Sequence, residues 1–284
     1  MKKNDGIGHE RFSFSYSERA KLTKNIASKS LFELMDKKKT NLVLAADVTE
    51  SSELIELADN IGKKLALLKT HIDTIKDYTN DLPIELERIA KRRNFMIFED
   101  RKFADIGKIV QNQYKNGIFK IADWANFVTA HIVSGPGIID SIYSIAIEKS
   151  QGDKKPRGII ILAQMSSKGT LVTGNYTKKA TNLGNEREYE VSGLIGAGNI
   201  PHDLKNLALT TRSGLIMITP GVHIHKKKGV IDQQYGSPND AIKAGSDAII
   251  VGSGIYRAPD PEEEAEKYRE IAWNAYEDRL KNNN

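Results

Sequence analysis

Eight short apolar runs rich in β-branched residues recur along the chain at intervals of roughly 23 to 33 residues, each followed by a polar stretch with helical spacing. They are Leu42 to Ala46, Leu65 to Lys69, Phe95 to Glu99, Phe127 to Ala130, Gly158 to Ala163, Tyr189 to Ile195, Leu215 to Thr219 and Asp247 to Val251. A strand covered on both faces loses the in-out alternation of a half-exposed one. Ile159-Ile160-Ile161-Leu162 and Ala248-Ile249-Ile250-Val251 read that way, which predicts a parallel sheet. Eight such units close into a (β/α)8 TIM barrel of the α/β class. An open doubly wound sheet would carry a glycine fingerprint after its first strand, where this chain has Asp47-Val48-Thr49. One barrel accounts for most of the 284 residues. Residues 1–40, with a helical pattern over Arg19 to Met35, are expected to pack on the barrel's base as a lead-in, and 41–284 to form the barrel. Glu262 to Leu280 reads as the closing helix and Lys281 to Asn284 as a frayed tail.

Composition narrows the chemistry. No cysteine is present, which removes disulfides, thiolate zinc sites and cysteine nucleophiles together and fits a reducing compartment. The N-terminus has charge but no apolar segment behind it, and no run approaches the roughly 18 apolar residues of a membrane span. The chain therefore reads as soluble and cytoplasmic, with no membrane partner. Its 42 basic and 37 acidic residues are nearly balanced. The clusters Lys37-Lys38-Lys39 and Lys226-Lys227-Lys228 lack interleaved aromatics, so they read as solvated faces rather than a nucleic-acid surface.

In such a barrel the active site lies at the C-terminal rim, so charged residues that abruptly end an apolar strand draw attention. Asp47 follows the first strand, Lys69 ends the second with His71 two positions on, and Asp100 with Lys102 ends the third. Side chains alternate along extended backbone, so Asp100 and Lys102 share one side, Glu99 and Arg101 the other, and Lys69 sits beside His71. Any one of these alone is ordinarily a solvated strand end. Together, Lys69, Asp100, Lys102 and Asp105 form an array of alternating sign in which carboxylates keep neighbouring ammonium groups charged. That array suits a reaction in which negative charge leaves one group and appears on a carbon, and decarboxylation is such a reaction.

The motifs Leu67-Leu68-Lys69-Thr70-His71, Asp100 to Gly107, Ala130-His131 with Gly135-Pro136-Gly137, Met165-Ser166-Ser167-Lys168-Gly169, Thr219-Pro220-Gly221-Val222 and Gln233-Gln234-Tyr235 occur in one order. On them the chain, from about Asn41 to Leu280, resembles orotidine 5′-phosphate decarboxylases of the eukaryotic type, as in the C-terminal domain of UMP synthase. The resemblance implies conversion of orotidine 5′-phosphate to UMP in pyrimidine synthesis, with no metal and no cofactor. It implies that Lys102 donates the proton to the pyrimidine carbon, that Asp100 adjoins the departing carboxylate, and that Lys69 positions the ribose and Asp100. It also implies a homodimer in which Asp105 reaches into the other subunit's site. Asp47 would hold a ribose hydroxyl and Ser166 the pyrimidine ring. Gln233 and Tyr235 would bind phosphate, with His71, Pro220, Gly252 and Ser253 completing the binding set. Two segments are expected to act as lids: the stretch after Ser166, and Gly196 to Leu204.

The family pattern breaks at three binding positions. Val251-Gly252-Ser253-Gly254 has serine where the family carries an arginine for phosphate, Ala45 replaces a serine and Ile109 a threonine. Losing a bidentate charged contact is expected to weaken affinity or efficiency roughly ten- to a hundredfold. Arg257, four residues beyond Ser253, reads first as a surface arginine and second as a group that turns toward the phosphate. The alternatives are a magnesium-dependent sugar-phosphate enzyme on the same kind of barrel, and a weakened homologue that binds nucleotide without turnover.

Overall fold

The computed structural model describes residues 7–224 and 236–282. Eight parallel strands, β1 (Leu42–Ala45), β2 (Leu67–Thr70), β3 (Met96–Phe103), β4 (Phe127–Ala130), β5 (Gly158–Leu162), β6 (Val191–Ile195), β7 (Ile216–Thr219) and β8 (Ala248–Val251), pair in chain order. β1 also pairs with β8, closing the barrel as the periodicity predicts. Except for the C-terminal half of β3, every strand residue is buried. Continuous apolar runs are therefore what these strands require. No helix among the described residues is long and apolar enough to cross a membrane.

β3 departs from expectation by running on to Phe103 rather than stopping near Glu99. Its pairing with β4 moves from Glu99↔Val128 to Phe103↔Ala130, so four steps on β3 oppose two on β4. Such a bulge re-aims side chains at a barrel rim. Within it Lys102 holds φ 52°, a left-handed conformation that costs a non-glycine residue on the order of 1–3 kcal/mol.

The lead-in is helical, as the sequence indicates, and consists of Tyr16–Leu22 and Ile26–Lys38 after a short turn at Glu10–Ser13. Ser15 and Glu18 form a reciprocal capping box at the first of the two, and Asn25 caps the second. The closing helix, Pro261–Lys281, starts with Asp260 as cap and proline in the first turn. These pieces meet at Asp247 beneath β8. Arg11 and Arg19 from the lead-in form buried ion pairs with its carboxylate, Arg279 from the closing helix lies 3.8 Å away, and the Met217 amide donates to it at 2.8 Å. Burial alone would push the Asp247 carboxyl up, but the arginines win and hold it at about 2.

Candidate active site

The register of β1, β2 and β3 assembles the charged strand ends. Ala45 of β1 lies opposite Lys69 of β2, and Lys69 lies opposite Phe98, two residues before Asp100 on β3. At the rim, Lys69 Nζ donates to Asp47 Oδ1 at 3.0 Å and lies 3.4 Å from Asp100 Oδ2, while Lys102 Nζ donates to the same Asp100 oxygen at 2.6 Å. The other Asp100 oxygen accepts from Thr129 Oγ1 at 2.8 Å, and Thr129 Oγ1 accepts from the Lys102 amide at 2.9 Å. One threonine thus ties down both the carboxylate and the strained backbone of Lys102.

The electrostatics follow from these contacts. Burial drives Lys69 toward losing its proton, yet Asp100 and Asp47 outweigh it and hold the pKa above the ordinary lysine value. Burial likewise opposes ionisation of Asp100, but Lys69 and Lys102 overcome it and keep the carboxyl below its usual range. His71 Nε2 lies 2.8 Å from Lys69 Nζ, and burial with that ammonium lowers the imidazole to about 4. Neutral His71 therefore accepts from Lys69 rather than adding a charge. Asp47, Lys69, Asp100 and Lys102 together sum to zero.

These residues line a cavity of about 490 Å³ at the C-terminal mouth of the barrel, the end where barrel enzymes place their chemistry. Asp47, Lys69, His71, Asp100, Lys102, Ser166, Pro220, Gly252 and Ser253, singled out from the sequence, all line it. Arg257 and Ala45 do too, whereas Ile109 does not. Gln233 and Tyr235 lie outside the described residues. The expected lid segments border a neighbouring depression that shares Gln164, Met165 and Ser167 with the cavity.

Asp105 is different. Its carboxylate accepts from the Ile106 amide at 2.7 Å, and it sits in a shallow surface depression with Arg101, Gln113 and Ser134. Within one chain, Asp47 and not Asp105 is the second carboxylate beside the lysines.

Three further contributors were not singled out from the sequence. Thr129 is detectable there only as a hydroxyl in the apolar run Phe127 to Ala130. Gln164 donates from its side chain toward the Asp203 carbonyl and accepts from the Ala197 amide, linking the loops after β5 and β6 at the cavity wall. Glu99 is wholly buried behind the cluster, where its carboxyl accepts from Thr70 Oγ1 at 2.7 Å and the Ile72 amide at 3.1 Å. Burial raises its pKa to about 8. Glu99, His71 and Asp73 each bring one ligand-type atom within 4.8 Å of the others. A neutral carboxyl already occupied by Thr70 and Ile72 suits backbone support better than a metal ion.

Comparisons with known proteins point to one family. Residues 40–268 match the family model described as orotidine 5′-phosphate decarboxylase / HUMPS. The orotidine 5′-phosphate decarboxylase of Pachysolen tannophilus is 43% identical over 270 residues, covering 94% of this chain and 97% of that protein. That of Phycomyces blakesleeanus is 42% identical over 269 residues, covering 94% and 96%. The crystal structure of orotidine 5′-phosphate decarboxylase from Pyrococcus horikoshii superposes with a TM-score of 0.64 at 25% identity, covering 81% of this chain and 98% of that one.

Proposed function

Because the chain belongs to the orotidine 5′-phosphate decarboxylase family, we propose that it converts orotidine 5′-phosphate to UMP without metal or cofactor, as a homodimer. One observation carries the mechanism: two lysines and two aspartates interleave within 3.4 Å contacts at the mouth of a barrel of this family.

The substrate carboxylate sits against Asp100, whose own charge is held in place by Lys69, Lys102 and Thr129. Repulsion there raises the bound ground state, and it disappears as the carbon–carboxylate bond breaks. The bonding pair stays on the pyrimidine carbon and carbon dioxide departs. The Lys102 ammonium, fixed 2.6 Å from Asp100, stabilises the developing carbanion and then transfers a proton to it, giving UMP and a neutral amine that is reprotonated from solvent. Lys69 acts as the fixed cation between Asp47 and Asp100, and Asp47 is left to hold a ribose hydroxyl. Ser166 and Pro220 bound the pyrimidine, and Gly252 and Ser253, with Gln233 and Tyr235, receive the phosphate.

Exposed apolar residues next to Asp105 support the dimer. Ile106, 66% exposed, lines the same depression, and Val133, 70% exposed, immediately precedes Ser134 of its lining, a surface that association would cover. In the dimer Asp105 adds a further carboxylate to the other subunit's lysines.

The test is direct. Purified protein given orotidine 5′-phosphate is expected to consume it, seen as loss of pyrimidine absorbance, with UMP and carbon dioxide formed in equal amounts and no effect of a chelator. Abolition of turnover by the chelator, or UMP binding without turnover, would overturn the proposal.

A further inference from the structure

Among the described residues that line the cavity, one charged side chain stands outside the paired cluster. Asp47, Lys69, Asp100 and Lys102 cancel, and His71 is neutral. Arg257 also lines the cavity, beside Ser253 and Tyr256, and no carboxylate among the described residues lies within ion-pairing distance of it. Its guanidinium rests 5.8 Å from the Tyr256 ring centroid, and its amide bonds back to the Ser253 carbonyl one helical turn earlier. Among the described residues, Arg257 therefore brings to the cavity a positive charge with no carboxylate partner.

An arginine in this position carries a planar fork of donors that matches the oxygens of a phosphate, and its exposed side chain can pivot toward a ligand at small desolvation cost. Gly252 lies beside it on the cavity wall. Ser253 offers a neutral hydroxyl to the same space.

We propose that Arg257 supplies the cation that grips the non-reacting phosphate of the substrate, a phosphomonoester dianion. The assignment rests on the decarboxylase reading for the identity of the substrate, although the anion site itself is tested by binding alone. Ser253 opens a short helix and Arg257 is its C-cap four residues on, and both side chains line the same cavity. The grip has moved one turn along the chain rather than vanished. Because phosphate contacts act away from the reacting carbon, their energy organises the bound substrate without joining the chemistry.

The experiment compares UMP with uridine, which differ by the phosphate alone. Dissociation constants for both are measured by calorimetry on the parent, Arg257→Ala, Arg257→Lys and the double variant Ser253→Arg with Arg257→Ala. The parent is expected to prefer UMP strongly. That preference should shrink roughly ten- to a hundredfold in Arg257→Ala, the range for losing a charge-assisted pair, and return in part with lysine. It should also return in the double variant. A preference absent from the parent, or left unchanged by alanine because UMP and uridine weaken alike or not at all, would overturn the assignment. A parent that binds UMP through Arg257 yet leaves orotidine 5′-phosphate intact would refute the decarboxylase reading alone. Turnover with an Arg257-independent preference would refute this inference alone.

Discussion

Replacing Glu99 by glutamine tests the environment directly behind the charged cluster. The parent carboxyl titrates near the ordinary 4.5 when unfolded and at about 8 when folded, because burial disfavours its ionised form. A folded pKa above the unfolded one means that folding takes up a proton between these two values. The stabilising contribution is therefore complete below pH 4.5, is lost progressively as pH rises, and is gone above about pH 8. At 1.36 kcal/mol per unit the interval sets a ceiling of about 5 kcal/mol. Glutamine keeps a carbonyl oxygen for Thr70 and Ile72 and cannot ionise, so it lacks this dependence. Its extra amide hydrogens set a constant offset, which cancels when two pH values are compared. Urea unfolding of parent and Glu99→Gln at pH 5 and pH 8.5 gives the comparison, with other titrating groups common to both proteins. The stability of the variant relative to the parent is expected to rise by about 2 kcal/mol or more between the two, a conservative share of that ceiling. A relative stability that stayed flat within about 0.5 kcal/mol would refute a buried, neutral Glu99.

Two other outcomes follow from the same contacts. Asp247→Asn leaves Arg11 and Arg19 buried without their counter-ion beside Arg279, and is expected to lower unfolding stability by about 3–5 kcal/mol, read as the urea midpoint. If Asp105 serves the other subunit, mixing inactive Lys102→Ala and Asp105→Ala proteins through unfolding and refolding restores about a quarter of parental activity, since half the dimers are hybrids with one whole site; no recovery on mixing contradicts the shared site.

The sequence made the barrel legible because its strands are covered on both faces and so appear as uninterrupted apolar runs. Seven of the eight end within three residues of the expected boundary, and β3 fails for a local reason. The bulge and the left-handed Lys102 are held by Thr129 on the next strand, a contact that no periodicity within β3 encodes. The alternation rule still gave the right neighbours, because Asp100 and Lys102 do meet, as do Lys69 and His71. Asp47 shows a different limit. Its pairing with Lys69 depends on β1 lying next to β2, which only the closed sheet provides. Arg11 and Arg19 look like surface charges in a helical lead-in, yet both are fully buried on Asp247, a residue more than two hundred positions away. Long-range charge pairing of that kind leaves no trace in local pattern.

On the proposed mechanism, the Lys102 ammonium, set by Asp100, stabilises and protonates the carbanion formed at the pyrimidine carbon. Turnover of orotidine 5′-phosphate by Lys102→Ala measures it most directly, with UMP binding by the same protein confirming that the cavity is intact. A fall of at least about a thousandfold in kcat is expected, within the range for losing a positioned general acid together with its charge. A variant that bound UMP and still turned over within tenfold of the parent would rule out Lys102 as the proton donor.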